Sequence, residues 1–427
     1  MLLTPEAILR QAAEQFGTPC FVYLLDHALA RIDALRRAFS DRFHLSYSVK
    51  ANPNRALLDK LRPGLESLDV SSGGELIAAL EAGWSAEALT FVGPAKQDWE
   101  LDLALARGCG CLVVESLDEL RRLAKLAAAR KQTAKVAVRV NPIDIPKGFG
   151  VAMANRATQF GIDEELLDKA LEELKQLPQV HFAGFHIYAG AQCLNNESLC
   201  ENFANYARIF REFSARHELR PQQLIFGSGF GIPYHPGEQP LDLAQVSQAV
   251  NPLLDQLRDD PATSAAKLVL ELGRYLIGEA GYYLTSVVGA KSTRGREILI
   301  LDGGMNHQLA ASGHLGSVIR RNYPIFPLKP QPPDEQKIKY TLMGPLCTNI
   351  DMLGQNVELG PMQRGDLIAV GCSGAYGLTA SPVHFITHRP PREILAESAG
   401  EKTILKEISA DGTLGRPPAW PPQEENG

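Results

Sequence analysis

The stretch FHLSYSVKANPN, residues 43–54, decides how the rest of the chain reads. Leu45, Tyr47 and Val49 alternate with His44, Ser46 and Ser48, the period of a strand with one buried face. Lys50 then arrives just before Asn-Pro-Asn, a turn cluster that ends strands. A lysine at a strand end ordinarily reaches solvent on its long stem. At the mouth of a barrel the same amine is desolvated and becomes a nucleophile. The surrounding sequence chooses between the two.

Downstream, SLDVS, LTFVG, CLVVES, KVAVRVN, HFAGFHIYAG, LIFGSG and KLVLELG are strand-like in the same way. Between the first of them lie ALLDKLRPGL, GELIAALEAGW, DWELDLALARG and SLDELRRLAKLAAAR, with helical apolar spacing. Eight strands alternating with helices predict a parallel (β/α)8 TIM barrel over residues 27–280. Each strand ends in a polar or glycine-rich cluster, and barrel enzymes place their chemistry at that rim. Lys50 becomes one member of a ring. After residue 280 the texture changes to strands and turns, GYYLTSVVGAKS, EILILDGG, KYTLMGPLC and GDLIAVGCSG, which predicts a mostly β domain over 281–398. Residues 1–26 read as a helix beginning after Thr4-Pro5 and a strand, expected to pack with that β domain. The Pro-, Gly- and Glu-rich end, 399–427, is expected to be a flexible tail.

Composition narrows the function. The 427 residues are 45% hydrophobic and 22% charged, with a net charge of −6 and no basic stripe, which excludes nucleic acid as a principal partner. No apolar run is long enough to span a bilayer, and the acidic N-terminal helix is no signal peptide, so no membrane role and a cytoplasmic location are expected. Seven dispersed cysteines fit a reduced compartment, and Cys109-Gly-Cys111 has no second pair at metal spacing, so no metal is expected.

Singly, the rim motifs leave alternatives open. GSGFG, from Gly227 to Gly231, is followed by Ile-Pro-Tyr-His-Pro rather than a helix, so it is a phosphate-cradling turn or a turn alone. Glu271 pairs with Arg274 or with a protonated ligand nitrogen. His186 is a core histidine or part of a site. Together, YSVKAN, DVSSGGEL, RVNP, FHIYAG, GSGFG, ELGRY, DGGMN, GPLC and GAYG resemble the fold-type III pyridoxal-phosphate decarboxylases, the ornithine and diaminopimelate decarboxylase family, over residues 18 to 398. GPLCTNIDMLG and SGAYGLTASPVHF bring the chain nearest to decarboxylases of carrier-protein-linked glutamate from butirosin-type biosynthesis.

The resemblance implies an alanine racemase-like barrel, pyridoxal 5'-phosphate as cofactor, and a homodimer with shared active sites. It implies that Lys50 attaches the cofactor, that Glu271 meets the pyridine nitrogen, and that His186 stacks on the ring. By the same resemblance Gly227, Ser228, Gly229, Phe230, Gly231, Gly273, Arg274 and Tyr376 lie at the phosphate, Asp69 lies on the rim near Lys50, and Cys347 returns a proton to the carbanion from the partner subunit. Arg274, Thr348, Asp351 and Tyr376 are implied at the substrate. An acid at the ring nitrogen favours decarboxylation, because it keeps the ring a strong electron sink; an arginine there would suit racemisation. A thiol of tunable pKa suits the proton return. Retention of both the lysine and the thiol argues against an inactive regulatory homologue.

Two departures from the family pattern stand near the cofactor: Tyr188-Ala189 replaces Gly-Ser, and Gln159 replaces a lysine before Phe160-Gly161-Ile162. Two more concern the substrate's far end. Thr348 stands where ornithine- and diaminopimelate-type enzymes carry an acid for the distal ammonium. After Asn306, His307-Gln308-Leu309-Ala310 lacks the arginine that holds a second carboxylate, and none follows until Arg320-Arg321. A small amino acid with a non-cationic distal end, such as carrier-tethered glutamate, is the expected substrate. A free diamino acid and racemisation are the alternatives.

Overall fold

The structure is a computed structural model that describes residues 3–314, 321–332 and 334–409. Eight parallel strands, His44–Ser48, Ser67–Val70, Leu89–Phe91, Cys111–Val114, Ala134–Asn141, Val180–Ile187, Gln223–Gly227 and Lys267–Leu272, pair in chain order, and the eighth closes on the first. This is the expected barrel. Its interior is lined by small and branched side chains, among them Val92, Cys111, Val113, Ala137, Ala183, Ile225 and Val269. Residues of opposite parity face the helices.

The helices show how sequence sets their ends. Ser72 and Ser116 each cap the helix that follows by accepting from the amides of Glu75 and Glu119. Glu75 and Glu119 each reach back to a backbone amide preceding the cap, of Ser71 and Glu115 respectively. In Leu117–Ala129, Leu120, Leu123, Ala124 and Ala127 form the buried stripe. The eighth strand is followed only by Arg274–Ile277, and Leu25–Phe39 packs into the space that a full eighth helix would fill.

Cys20–Leu24 lies in the C-terminal sheet, antiparallel to Gly281–Thr293 on one side and parallel to Arg392–Ala399 on the other. Thr4 caps the helix Pro5–Phe16, whose Leu9, Ala12 and Ala13 pack under that sheet. Lys402–Glu407 forms a further strand against Arg392–Ala399, so the stretch expected as tail from 399 begins as sheet edge. Its half-buried Thr403 and Leu405 alternate with exposed Lys402, Ile404 and Lys406, a pattern the charged composition of the terminus disguises. Residues 410–427, with GTLGRPPAWPPQEENG, lie outside the described residues, as does Arg320. Among the described residues, no helix is long and apolar enough to cross a membrane.

Candidate active site

The turn that ends the first strand is locked from the β domain. The Tyr376 amide donates to the Ala51 carbonyl (2.8 Å), and the Asn52 side-chain amide to the Gly374 carbonyl (3.1 Å). Asn54 caps the helix Arg55–Leu61 through its carbonyl and spends its amide on Glu393 and the Ile408 carbonyl. Asn-Pro-Asn is therefore a joint between domains as well as a strand end. Between its anchors, Lys50 projects into a pocket at the C-terminal rim of the barrel, shared with Ser48, Asp69, Arg139, His186, Tyr188, Gln192, Ser228, Gly229, Phe230, Glu271, Gly273, Arg274 and Tyr376.

Lys50 Nζ lies 3.7 Å from Asp69 Oδ2 and 5.8 Å from the Tyr188 ring centroid. Burial pulls the pKa of the amine down, but its acidic neighbours, Asp69 foremost, outweigh it, and the net direction is upward. Beside these acids the amine is favoured in its ammonium form. The side chain is 43% exposed toward the pocket opening, so solvent screens part of that attraction.

On the floor, His186 Nε2 lies 3.0 Å from Glu271 Oε2, both groups buried. Burial pushes the Glu271 carboxyl up to about 7, against the attraction of Lys50 and Arg139. Burial and the neighbouring Arg139 push His186 down to about 3. At neutral pH the pair holds at most one proton, and it resides on the carboxyl side. Glu271 does not pair with Arg274: it meets His186, while the Arg274 guanidinium donates to the Tyr234 hydroxyl (2.7 Å) and lies between the Tyr234 and Tyr376 rings. Among the described residues no carboxylate pairs with Arg274.

The GSGFG turn approaches the pocket closely. Gly229 has φ +66°, and a Cβ there would stand 2.7 Å from the Gly190 carbonyl. Several amides of the turn are already engaged. Ser228 donates to the Glu271 carbonyl, Gly231 to the Cys193 carbonyl, and Phe230 weakly to the Ser228 hydroxyl. Gly227 packs against the Tyr188 ring, so the replacement of Gly-Ser by Tyr188-Ala189 puts an aromatic wall on the pocket.

The remaining expected residues are elsewhere. Cys347 is exposed and Thr348 half-buried, and neither lines the Lys50 pocket of its own chain. Asp351, expected at the substrate, is fully buried; its two oxygens accept from the amides of Met305 (2.7 Å) and Leu346 (2.8 Å). It braces the loop before Cys347 and does not line the Lys50 pocket of its own chain. Arg139 is the residue the sequence reading missed. RVNP was recognised as a motif, and an arginine near the end of an otherwise apolar barrel strand was the available signal.

Comparison with known proteins identifies the family. Residues 25–278 match the family described as pyridoxal-dependent decarboxylase, pyridoxal binding domain. The chain is 36% identical to an L-glutamyl-[BtrI acyl-carrier protein] decarboxylase of Niallia circulans, over 95% of each chain. It is 30% identical to a diaminopimelate decarboxylase of Aquifex aeolicus, over 94% of this chain and 92% of that one. A crystal structure of diaminopimelate decarboxylase from M. jannaschii with L-lysine superposes with a TM-score of 0.84 at 26% identity, covering 94% of this chain and 92% of the other.

Proposed function

The chain belongs to the pyridoxal-dependent decarboxylases, and from that premise we propose that it removes the α-carboxyl group of an amino acid whose far end carries no positive charge, such as glutamate tethered to a carrier protein. The residues present fit pyridoxal 5'-phosphate. His186 Nδ1, Glu271 Oε1 and Asp69 Oδ1 are buried without a protein partner, and Arg274 faces the pocket without a carboxylate. Lys50 would hold the aldehyde, Glu271 the ring nitrogen, His186 the ring face, and Arg274, Tyr376 and the Ser228–Gly229 turn the phosphate. When bound, the cofactor supplies a conjugated ring that accepts the electron pair left as CO2 departs.

The protein's own contributions follow from the geometry. Glu271 keeps a proton available on the pocket floor, since burial favours its protonated form and its free oxygen points to no protein donor. Asp69 is the carboxylate beside Lys50 Nζ, 3.7 Å away, and orients the amine in the pocket. A proton must then return to the α-carbon. Cys347 is exposed and outside its own chain's pocket, which supports a thiol delivered by a second copy and hence a homodimer with shared sites.

The observation that carries the substrate reading is Thr348. The position after the thiol, where an acid would meet a distal ammonium, is a neutral residue occupied with its own turn: its amide donates to the Leu346 carbonyl and its hydroxyl accepts from the Ile350 amide. A distal ammonium desolvated there without its acid would cost roughly 2 kcal/mol or more. The test is CO2 release from carrier-tethered glutamate beside free ornithine, lysine and diaminopimelate. The tethered substrate should be turned over and the free basic amino acids poorly. Rapid turnover of a free diamino acid would overturn the substrate while leaving the decarboxylase intact.

A further inference from the structure

Beneath the pocket lies a chain of buried charges that none of the roles above uses. Lys96, Glu119, Glu115 and Arg139 are all less than 8% exposed. Lys96 Nζ contacts Glu119 Oε1 at 2.6 Å and also donates to the Gly93 carbonyl. Glu119 Oε2 accepts from the Glu115 amide at 3.0 Å. The Glu115 carboxylate accepts from Gly93 (2.8 Å) and Gly161 (3.2 Å) and takes Arg139 Nη1 at 3.0 Å on each oxygen. The far face of the guanidinium lies 4.7 Å from the Phe160 ring centroid. Arg139 is the register partner of His186 on the neighbouring strand and the one member of the four that lines the pocket.

A buried lysine and glutamate cost desolvation energy that their attraction does not always return, so stability alone is weak grounds for keeping them. Geometry supplies a second reason. We propose that Lys96, Glu119 and Glu115 form a positioning relay that holds the Arg139 guanidinium against the pocket floor. Lys96 fixes Glu119; Glu119 fixes the Glu115 backbone; Glu115, tied by two glycine amides, presents both oxygens to Arg139. The relay is electrically balanced, two cations against two anions. It therefore places a positive charge beside His186 and Glu271 without adding net charge to the interior. The titratable and charged groups facing Glu271 are His186, Lys50, Asp69, Arg139, the Cys111 thiol and, behind Arg139, Glu115. Of these, only Arg139 takes its position from Glu115, and through it from Lys96.

The inference rests on the cofactor-site reading above, not on the substrate, and its test separates them. Crystal structures of the cofactor-free Glu115→Gln and Lys96→Met proteins would locate the guanidinium directly. Arg139 should leave the pocket floor in Glu115→Gln and lose its fixed position in Lys96→Met, with the barrel intact. In the cofactor-loaded proteins, the pH titration of the ring absorbance should move by about one unit in both variants, a tenfold change in the protonation equilibrium, and Lys96→Arg should restore it. That readout needs no substrate, so an error in the substrate assignment leaves it untouched. An unmoved Arg139 with an unchanged titration in well-folded variants overturns the relay. So does a shift in Lys96→Met that Lys96→Arg fails to reverse. If neither wild type nor variants bind the cofactor, the cofactor-site reading fails, and the crystallographic arm still decides the relay.

Discussion

The Lys50 pocket and the Cys347 loop spend their polar atoms in opposite ways. Around Lys50, buried acceptors and donors on Asp69, His186 and Glu271 are left without partners, and Arg274 without a carboxylate. Around Cys347, the acid is fully consumed: Asp351 gives both oxygens to backbone amides and leaves the thiol at the surface. Buried unsatisfied groups are costly unless a ligand completes them. The barrel rim is thus built to be completed by a small molecule. The loop is complete in itself and presents one reactive group outward.

The largest effect should come from breaking the pocket side. Lys50→Ala should abolish turnover, since no other lysine lines the pocket. Borohydride reduction of the loaded wild type should fix the ring on the peptide containing Lys50; label on any other peptide would break the assignment. Next is the loop. Cys347→Ala should lower turnover by about a hundred- to ten-thousand-fold, the range for a lost general acid. Mixed with Lys50→Ala under subunit exchange, it should regain part of the activity through one intact composite site. Full activity in a verified monomer would place the thiol within its own chain.

A pH experiment sharpens the contrast within the pocket. Glu271 titrates at about 7 when folded against 4.5 unfolded, so alone it stabilises at low pH, and that contribution is lost as pH rises through 7. His186 titrates at about 3 when folded against 6.5 unfolded, so alone its contribution is present above 6.5 and lost as pH falls toward 3. Between 4.5 and 6.5 the pair holds one proton in either state, on Glu271 when folded and on His186 when unfolded, and the two slopes cancel. His186→Phe removes one of them. Relative to wild type, the cofactor-free variant should lose stability progressively as pH rises from 4.5 to 6.5, which calorimetry across that range would detect. A slope unchanged from wild type would mean that His186 is not depressed in the folded chain, and a variant whose own stability stays flat over that range would mean that Glu271 ionises normally. The smallest effect belongs to the brace: Asp351→Asn exchanges one accepting oxygen for a donor facing an amide, and should cost about 1–3 kcal/mol of stability with the cofactor spectrum unaltered.

Periodicity made the barrel legible, because alternation followed by helical spacing repeats with no competing pattern, and each strand end carried its own turn chemistry. Lys50, His186 and Glu271 stood out as polar residues closing apolar runs. Arg139 escaped notice inside KVAVRVN, since an arginine in a strand reads as an edge residue until its partner is known, and Glu115 lies 24 positions away. Asp351 is the converse case: the resemblance implied it at the substrate, and only coordinates reveal that backbone amides take both its oxygens. The strand Lys402–Glu407 was hidden by flanking charges that suit an exposed edge as well as a loose end.

The anchoring of the turn after the first strand also bears on the order of events at the ribosome. Ala51, Asn52 and Asn54 are held by Gly374, Tyr376, Glu393 and Ile408, residues synthesised more than 300 positions later. A nascent barrel can close its eight strands once Leu272 has emerged, yet the segment bearing Lys50 stays unfastened until the C-terminal sheet is made. Cofactor capture should therefore come late in synthesis. Stalled nascent chains ending near residue 300 should trap little pyridoxal phosphate on borohydride treatment, whereas chains released at full length should trap it readily.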